Sequence, residues 1–292
     1  MKIVSKLLLW SAVLCCLPLS GLAGLAWQPV LGSAPFAGRW AGQTAVHNSK
    51  LWVLGGRRDV GGAKTNDVWC SVDGSNWTLV TAGAQWSQRH GFQTVAYDGK
   101  LWVIGGQSIN GSYNSDVWSS EDGTNWTQVT AKAPWSARFY HACVVFQDAI
   151  WLMGGYPSCR DVWRSTDGTN WVKFATPQWS GRYAVGAAVF NDTLFLTCGH
   201  NGSDYYNDVW STTDGVAWTQ VVVHAPWVAR NAVGAAVFDN RLWLIGGINS
   251  YARYNDVWSS TNGRHWVRSV TNSPWASRQF PGVAVFDNSL WA

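Results

Sequence analysis

The chain has 292 residues, of which 21 are Lys or Arg, 17 are Asp or Glu and 23 are Trp, and only 13% of its side chains are charged. It has no basic run that could follow a phosphate backbone, which argues against a nucleic-acid partner. With so few charges, solubility has to come from Ser, Thr, Asn, Gln and Gly at turns. This composition is typical of an extracellular all-β protein.

Residues 1–23 have the features of a secretory signal peptide, and we expect the folded domain to span residues 24–292. Two lysines precede an apolar run from Leu7 to Leu17, and Gly21-Leu22-Ala23 is a small-residue cleavage site. Cleavage after Ala26 is an alternative. The apolar run is shorter than the roughly 20 residues of a membrane span. We therefore expect a secreted, periplasmic or cell-surface protein without a stable membrane span after cleavage, with an uncleaved anchor as the alternative.

An apolar segment recurs at nearly even spacing along the chain. Its most regular copy is Leu101-Trp-Val-Ile-Gly-Gly106, and copies begin at positions 51, 101, 150, 194 and 242, which are 50, 49, 44 and 48 residues apart. Leu290-Trp291 starts a further copy. A period of roughly 40 to 50 residues with strand-like content is typical of β-propellers.

Each repeat predicts four short strands, a to d. In the unit from Arg89 to Pro134 the predicted strands are a at Phe92–Tyr97, b at Leu101–Ile104, c at Asp116–Ser119 and d at Trp126–Thr130. Asp-Gly turns separate a from b and c from d. Short strands with short connections pair as an antiparallel meander, and apolar strands need cover on both faces. Stacking of such blades around a ring provides that cover.

Three further positions recur in the repeats. The aspartate of an Asp-Val-Trp sequence opens strand c at Asp67, Asp116, Asp161, Asp208 and Asp256. A tryptophan opens strand d at Trp77, Trp126, Trp171, Trp218 and Trp266. An arginine precedes strand a at Arg39, Arg89, Arg138, Arg182, Arg230 and Arg278. We interpret the regular Arg and Asp series as structural, a ring of ion pairs between blades.

The glycine pair after strand b, the aromatic residue about twelve positions later and the Trp eight further on resemble kelch repeats over nearly all of residues 24–292. The resemblance implies an all-β, kelch-like β-propeller of four-stranded antiparallel blades. Two features depart from the kelch pattern: Cys198-Gly199 replaces one glycine pair, and strand c carries Trp where many kelch repeats have Tyr. The turn from Ser71 to Trp77 also resembles the Asp-box of sialidases, with one residue fewer between Asp and Gly. The arginine series could then be a carboxylate trap as in sialidases, which we regard as the weaker interpretation.

The two ends of the chain are incomplete repeats. Residues 26–39 align with residues 217–230, so the first segment is a strand d, and Leu290-Trp291 lies within a strand b. We expect five complete blades plus a partial sixth that lacks strand c, as in a C-terminally truncated ring of six or seven blades. Such a blade would have unpaired edges.

Four cysteines remain after the signal peptide, at four different positions of the repeat. They are Cys70, Cys143, Cys159 and Cys198. A disulfide framework would use recurring positions and zinc would use close-spaced pairs, so the sequence predicts no metal site and no cofactor, and it fixes no disulfide pairing.

Variable segments concentrate on one edge of the predicted ring, where the b–c loops and the residues after each arginine lie. Binding residues gather on variable loops held by a rigid scaffold, and aromatic and Arg side chains anchor interfaces. The candidate binding residues after the arginines are Trp40, His90, Phe139, Tyr140, His141, Tyr183, Asn231, Gln279 and Phe280. Those in the b–c loops are Arg57, Arg58, Tyr113, Tyr156, Tyr205, Tyr206, Tyr251 and Arg253. His90 and His141 are isolated histidines, more typical of structural or contact residues than of metal ligands.

The sequence favours a secreted, non-catalytic binding propeller that recognises an extracellular protein or a glycan through this edge. It contains no recognisable nucleophile, base and orienter set and no phosphate loop, so no catalytic residue is predicted. The alternative is a carbohydrate-active enzyme of galactose-oxidase-like or sialidase-like type. Galactose oxidase, a kelch-like propeller, uses a tyrosine, histidine and cysteine set at copper, and Tyr140, His141 and Cys143 are the nearest counterpart here.

Overall fold

The computed structural model describes residues 13–17 and 26–292, and it contains β-strands but no helix in this part of the chain. No described segment therefore forms a helix long and apolar enough to cross a membrane. The strands, in chain order, are β1 (Val13–Leu17), β2 (Ala26–Leu31), β3 (Arg39–Trp40), β4 (Gln43–His47), β5 (Lys50–Arg58), β6 (Lys64–Ser71), β7 (Trp77–Thr81), β8 (Arg89–His90), β9 (Gln93–Tyr97), β10 (Lys100–Ile104), β11 (Gln107–Ser108), β12 (Val117–Ser120), β13 (Thr127–Thr130), β14 (Ala142–Val145), β15 (Ile150–Met153), β16 (Val162–Ser165), β17 (Val172–Ala175), β18 (Gly186–Phe190), β19 (Thr193–Thr197), β20 (Val209–Thr212), β21 (Thr219–Val222), β22 (Gly234–Phe238), β23 (Arg241–Ile245), β24 (Val257–Ser260), β25 (Val267–Val270), β26 (Ala284–Phe286) and β27 (Ser289–Trp291).

Four sheets are separate antiparallel blades whose strands a, b, c and d follow the chain order. They consist of β9–β10–β12–β13, β14–β15–β16–β17, β18–β19–β20–β21 and β22–β23–β24–β25. In the unit from Arg89 to Pro134 all four predicted strands are confirmed, and their ends differ from the prediction by no more than one residue. The all-β propeller architecture with four-stranded antiparallel blades is thus as expected.

The expected count of five complete blades and a partial sixth is wrong. The first unit supplies β4 to β7, but these strands belong to a seven-stranded sheet with β3, β8 and β11. The reason is the length of its b–c hairpin, whose pairing continues past the glycine pair to Gly56↔Thr65 and Arg57↔Lys64. The extended hairpin reaches β3 on one side and β8 on the other, so two connections join the sheet.

The two ends of the described chain share the sixth sheet, in the order β2, β1, β27 and β26. β1 lies between strand b of this unit, β27, and strand d, β2, so it fills the strand-c position that we expected to be empty. An unpaired strand edge is unfavourable, and Val13–Leu17 is an apolar segment that satisfies it. Secretion remains a prediction, since the basic residues and the cleavage site of the proposed signal peptide lie outside the described residues.

The innermost strands of the six sheets contact one another around a closed circle: β4, β9, β14, β18, β22 and β26. A belt of backbone hydrogen bonds joins equivalent residues just before these strands. The donor and acceptor pairs are Gly91 to Ala41 (2.9 Å), Tyr140 to Gly91 (2.7 Å), Ala184 to Tyr140 (2.7 Å), Ala232 to Ala184 (2.8 Å) and Phe280 to Ala232 (2.7 Å). All six residues have positive φ, from 49° to 61°. Left-handed backbone is unfavourable for non-glycine residues, and the hydrogen bonds between blades offset that cost.

Neighbouring blades interlock through strand b and the turn between strands c and d. The Trp102 ring of one blade covers Gly168 of the next so closely that a Cβ there would overlap the ring. The same contact recurs from blade to blade as Trp291 on Gly74, Trp52 on Gly123, Trp151 on Gly215 and Phe195 on Gly263. Within units, tryptophans before strand a pack edge-on against the strand-d tryptophans, as in the Trp86–Trp126 pair with ring centroids 5.9 Å apart. The repeated tryptophans therefore form the blade core.

Candidate functional site

Five of the six recurrent arginines form buried ion pairs inside their own unit. Arg89 Nη1 and Nη2 donate to the two carboxylate oxygens of Asp116 at 2.7 and 2.8 Å. The equivalent pairs are Arg39–Asp67, Arg138–Asp161, Arg182–Asp208 and Arg230–Asp256. The expectation of pairs between blades is thus wrong, because the arginine before strand a reaches the aspartate at the start of strand c in the same blade.

The guanidinium of each of these arginines is hydrogen-bonded to backbone carbonyls as well as to its aspartate. Arg89 Nη1 also donates to the carbonyl of Gly105, and Trp118 Nε1 donates to Asp116 Oδ2. Burial acts to raise the pKa of Asp67, but the hydrogen bonds and charge of Arg39 outweigh it and hold that pKa below its ordinary value. These pairs join three segments of one blade and leave no free guanidinium for a ligand.

The predicted binding edge carries a continuous cluster of aromatic rings, which we call the aromatic surface. It consists of Trp40, His90, Tyr113, Phe139, Tyr140, Tyr156, Tyr183, His200, Tyr205 and Phe280. Eight of its ten rings are partly buried, Tyr113 is exposed and His90 is buried. All ten members follow the recurrent arginines or lie in b–c loops, and nine of them, all but His200, are among the predicted binding residues.

Tyr140 and Phe280 form the centre of the aromatic surface. Their rings stack with centroids 4.6 Å apart, and both residues belong to the hydrogen-bonded belt. They also line the mouth of the central channel, a cavity of about 210 Å³. The left-handed backbone of Tyr140 and Phe280 is therefore set by the ring closure, which fixes where their side chains stand.

The rest of the aromatic surface extends outward from this centre in two directions. On one side Phe139 packs on Tyr140 at 4.3 Å and on Tyr113 at 4.9 Å. On the other, the Tyr183 hydroxyl lies 2.7 Å from His200 Nδ1, and the His200 ring stacks on Tyr205 at 4.2 Å. His200 is not among the binding residues predicted from the sequence. It directly follows Cys198-Gly199, which replaces the glycine pair, and this position at the start of the b–c loop could have identified it.

Burial favours the neutral form of four titrating groups of the aromatic surface, His90, His200, Tyr140 and Tyr183. Burial, together with the charge of Lys64, lowers the pKa of His90 to about 4. Burial also lowers the pKa of His200 and raises the pKa of Tyr140 and Tyr183. The surface therefore offers the neutral Tyr140 and Tyr183 hydroxyls and the His200 imidazole beside partly exposed rings.

Positive charge lies beside the aromatic surface, on the long hairpin of the first unit. The Arg57 guanidinium stands over the Trp40 ring at 5.3 Å, and Lys64 Nζ donates to Gln107 Oε1 at 3.2 Å. The charge of Arg253 acts against the pKa rise that burial causes at Asp59. Sequence reasoning did not identify Lys64, which follows a Gly-Gly-Ala turn without any repeat-level signal.

Several candidate residues lie away from the aromatic surface. Tyr206 stacks under Arg182 at 3.8 Å and so supports the ion pair, as Tyr254 does for Arg230. Asn231 is buried, and its Oδ1 has no hydrogen-bond partner among the described residues. The others are solvent-exposed or line a cleft that adjoins the aromatic surface at Trp40 and Phe280: Arg58, Tyr251, Arg253 and Gln279.

His141 lies beneath the aromatic surface in the wall of the channel. It is 2% exposed, and neither ring nitrogen has a hydrogen-bond partner among the described residues. Burial, with the charge of Arg138, lowers its pKa to about 3, and burial raises the pKa of the Cys143 thiol. Residues 13–17 and 26–292 contain no group of three or more His, Cys, Asp or Glu side chains arranged to hold a metal ion.

The family model of the DUF6242 beta propeller domain matches residues 37–167 of the chain. This segment covers the first two repeats and the third as far as its c–d turn, and it includes the Trp40, His90 and Tyr140 part of the aromatic surface. The match agrees with the propeller architecture. No curated protein matches the sequence.

Proposed function

We propose that this chain is an exported, kelch-like propeller that binds a glycan or an extracellular protein on its aromatic surface and catalyses no reaction. The observation that carries the proposal is the continuity of that surface. Its rings come from five different units, and their centroids lie between 4.2 and 6.5 Å from the next ring. Blade packing alone does not need such a cluster, because the blade cores already contain their own tryptophan pairs.

The kelch assignment rests on the repeated glycine pair and on its role in the blade. In each of five units the carbonyl of the first residue of the pair accepts a hydrogen bond from the recurrent arginine, as at Gly105 and at Cys198 in the fourth unit. The arginine makes the same hydrogen bond when cysteine replaces the first glycine, because the acceptor is the backbone carbonyl and not the side chain. Export rests on the basic and apolar pattern of residues 1–23.

The chemistry of the aromatic surface matches ligands that have both apolar faces and hydroxyl groups. Half-buried Tyr, Trp and Phe rings offer large contact area with little entropy loss, and the Tyr hydroxyls can donate or accept hydrogen bonds. Sugar rings and exposed protein loops both have these properties. Arg57 adds a cation next to Trp40, which suits a ligand with an acidic or strongly polar group.

The experiment is a glycan array run in parallel with a pulldown of surface proteins, using the wild type and a Phe139→Ala/Tyr140→Ala variant. Phe174→Ala is the matched control, because it removes a half-exposed ring from the outer strand of the same blade. We expect ligands that bind the wild type and the control but not the double variant. Equal binding to all three proteins would contradict the proposed location.

A carbohydrate-active enzyme remains the second candidate, since Tyr140, His141 and Cys143 are near one another in the sequence and all line the channel. Copper content and peroxide production with galactose test it. A copper-loaded protein that makes peroxide would replace the binding proposal, whereas a metal-free and inactive protein would leave it in place.

A further inference from the structure

The long hairpin of the first unit places two cations directly opposite each other. In the second to fifth units strand b ends before the glycine pair or its Cys-Gly equivalent, whereas β5 continues past it to Arg58. In this added stretch Arg57 pairs with Trp40 of β3 on one side and with Lys64 of β6 on the other. Residues that are opposite in an antiparallel sheet project from the same face. Trp40, Arg57 and Lys64 therefore form one row across three strands, which we call the cation row.

The opposition of Arg57 and Lys64 is unfavourable for folding, because like charges directly across an antiparallel pair destabilise it. Burial and the charge of Arg57 both lower the pKa of Lys64, which is half-buried. The positions equivalent to Arg57 in the following units, each the first after the glycine pair or its equivalent, contain neither Lys nor Arg: Gln107, Tyr156, His200 and Ile248. Blade structure thus does not require the pair, and a local conflict of this kind is typical of functional sites.

Uncharged groups hold both cations in place. The Arg57 guanidinium lies over the Trp40 ring, 5.3 Å from its centroid, and Arg57 Nε donates to the carbonyl of Gly62 at 3.0 Å. Lys64 Nζ donates to Gln107 Oε1 at 3.2 Å. These contacts fix the two side chains without neutralising their charge. An anionic group that reaches them is therefore attracted by both charges and orders little of the protein.

The cation row adjoins the centre of the aromatic surface. The Trp40 ring lies 5.3 Å from the His90 ring, measured between centroids. Burial lowers the pKa of His90 to about 4, and the charges of Lys64 and Arg57 add to this effect. The charge of Arg57 also acts against the pKa rise that burial causes at Tyr140. A ligand that covers the central rings is therefore within range of the charge of the cation row.

We propose that the ligand of the aromatic surface is an acidic glycan, with a carboxylate or sulfate group bound by Arg57 and Lys64 and its sugar ring against the neighbouring aromatic rings. A guanidinium binds either anion through two charge-assisted hydrogen bonds. A sugar acid or sugar sulfate carries its charge directly on the ring, so one residue offers both an anion and an apolar face. An Asp or Glu side chain of a protein ligand has no such face. The inference rests on the binding role proposed above and names the ligand class for it.

The first test needs only the wild-type protein. Sialylated, uronic-acid and sulfated glycans are arrayed, each beside a counterpart from which charge is removed by methyl esterification of carboxylates or by desulfation. We expect at least one acidic glycan to bind at least about tenfold more tightly than its counterpart, because charge-assisted hydrogen bonds are lost with the charge. The esterified and desulfated pairs separate carboxylate from sulfate recognition. Equal binding within every pair, binding to no glycan, or binding to proteins alone would overturn the proposal.

Variants of Lys64 then locate the anion. Lys64→Gln should weaken binding of the acidic glycan about tenfold and leave its uncharged counterpart unaffected, and Lys64→Glu should abolish the preference. Both variants remove the like-charge repulsion with Arg57, so their urea midpoints should equal or exceed that of the wild type. Arg264→Gln, at an exposed arginine in a c–d turn, is the control and should bind as the wild type does. A folded Lys64→Glu protein that keeps the preference for the acidic glycan would contradict the assignment.

The Phe139→Ala/Tyr140→Ala variant separates failure of this inference from failure of the binding role. The expected result is loss of all binding in the double variant and loss of only the acid preference in Lys64→Glu. Loss of binding in the double variant with an unchanged acid preference in Lys64→Glu would refute the acidic ligand class and leave the aromatic surface as the binding site. Binding in the double variant that equals that of the wild type would refute the binding role of the surface, and this inference with it.

Discussion

Arg89 and Asp116 form a buried, bidentate ion pair that joins the beginning of strand a to the beginning of strand c in one blade. Arg89 is 1% exposed, and it also holds the carbonyl of Gly105 at the end of strand b. One side chain therefore fixes three of the four strands at the edge where the aromatic surface lies. The repetition of this pair in five units gives the loops of that edge a common rigid base.

Removal of the carboxylate from this pair should destabilise the propeller strongly. Asp116→Asn leaves a buried guanidinium without its counter-charge, which typically costs about 3 kcal/mol. Urea unfolding measures the change. Lys100→Gln is the control, because the Lys100–Glu121 pair is long, at 3.9 Å, and solvent-exposed, and its loss should cost less than about 1 kcal/mol. Similar effects of the two substitutions would show that the buried pair has no special role.

The contact between Trp102 and Gly168 should make the c–d turn intolerant of a side chain. Gly168 and Gly99 both have positive φ, 70° and 68°, but a Cβ on Gly99 meets nothing within 4 Å. Gly99→Ala should cost about 1 kcal/mol from backbone strain alone. Gly168→Ala should cost about 2 kcal/mol more, because the ring of the neighbouring blade has to move. Equal urea midpoints for the two variants would contradict this interlock.

Acid should weaken the fold through His141. Its pKa is about 3 in the folded chain, whereas an unfolded histidine has a pKa of about 6.5. Below about pH 6.5 the unfolded chain binds a proton at this histidine that the folded chain does not. The free energy of unfolding therefore decreases as the pH is lowered from about 6.5 to about 3, and this group has no effect above that range.

The measurement is the loss of unfolding free energy between pH 7 and pH 5. We expect this loss to be roughly 2 kcal/mol smaller in His141→Asn than in the wild type. His265→Asn, at an exposed histidine in a turn, should leave the loss unchanged. An identical pH dependence in His141→Asn and the wild type would contradict the assignment.

A thiol reagent should distinguish one exposed cysteine from three buried ones in the folded protein. Cys70, Cys143 and Cys198 are buried free thiols, and burial raises the pKa of each. Cys159 is partly exposed, in the b–c loop of its unit. A thiol reagent should therefore label Cys159 in the folded protein and the other three only after unfolding, as read by mass spectrometry of peptides. Fast labelling of Cys143 would indicate that the channel is open to solvent.

The repeat made most of the blade structure predictable. Strand positions followed from apolar runs and Asp-Gly turns, and these signals are local, so five copies reinforced one another. Whether each ion pair forms within one blade or between two blades was not predictable. The spacing of Arg89 and Asp116 in the sequence is compatible with both arrangements. The geometry of the d–a connection decides it.

The candidate site was predictable as an edge of the ring but not as a set of contacts. The position after each arginine pointed to Trp40, Phe139 and Phe280. Whether a tyrosine faces outward or supports an arginine depends on its loop, as the different places of Tyr205 and its neighbour Tyr206 illustrate. The seven-stranded sheet and the use of Val13–Leu17 in the closing sheet are long-range pairings, and no local sequence pattern encodes them.

The most direct test of the binding role is the dissociation constant of the first glycan or protein ligand found on the arrays, measured for three proteins. They are the wild type, Phe139→Ala/Tyr140→Ala and Phe174→Ala. Loss of two central rings of a binding surface should weaken the affinity by at least about a hundredfold, whereas the control should stay within about twofold. A double variant that folds and binds as tightly as the wild type would contradict the assignment of the aromatic surface as the binding site.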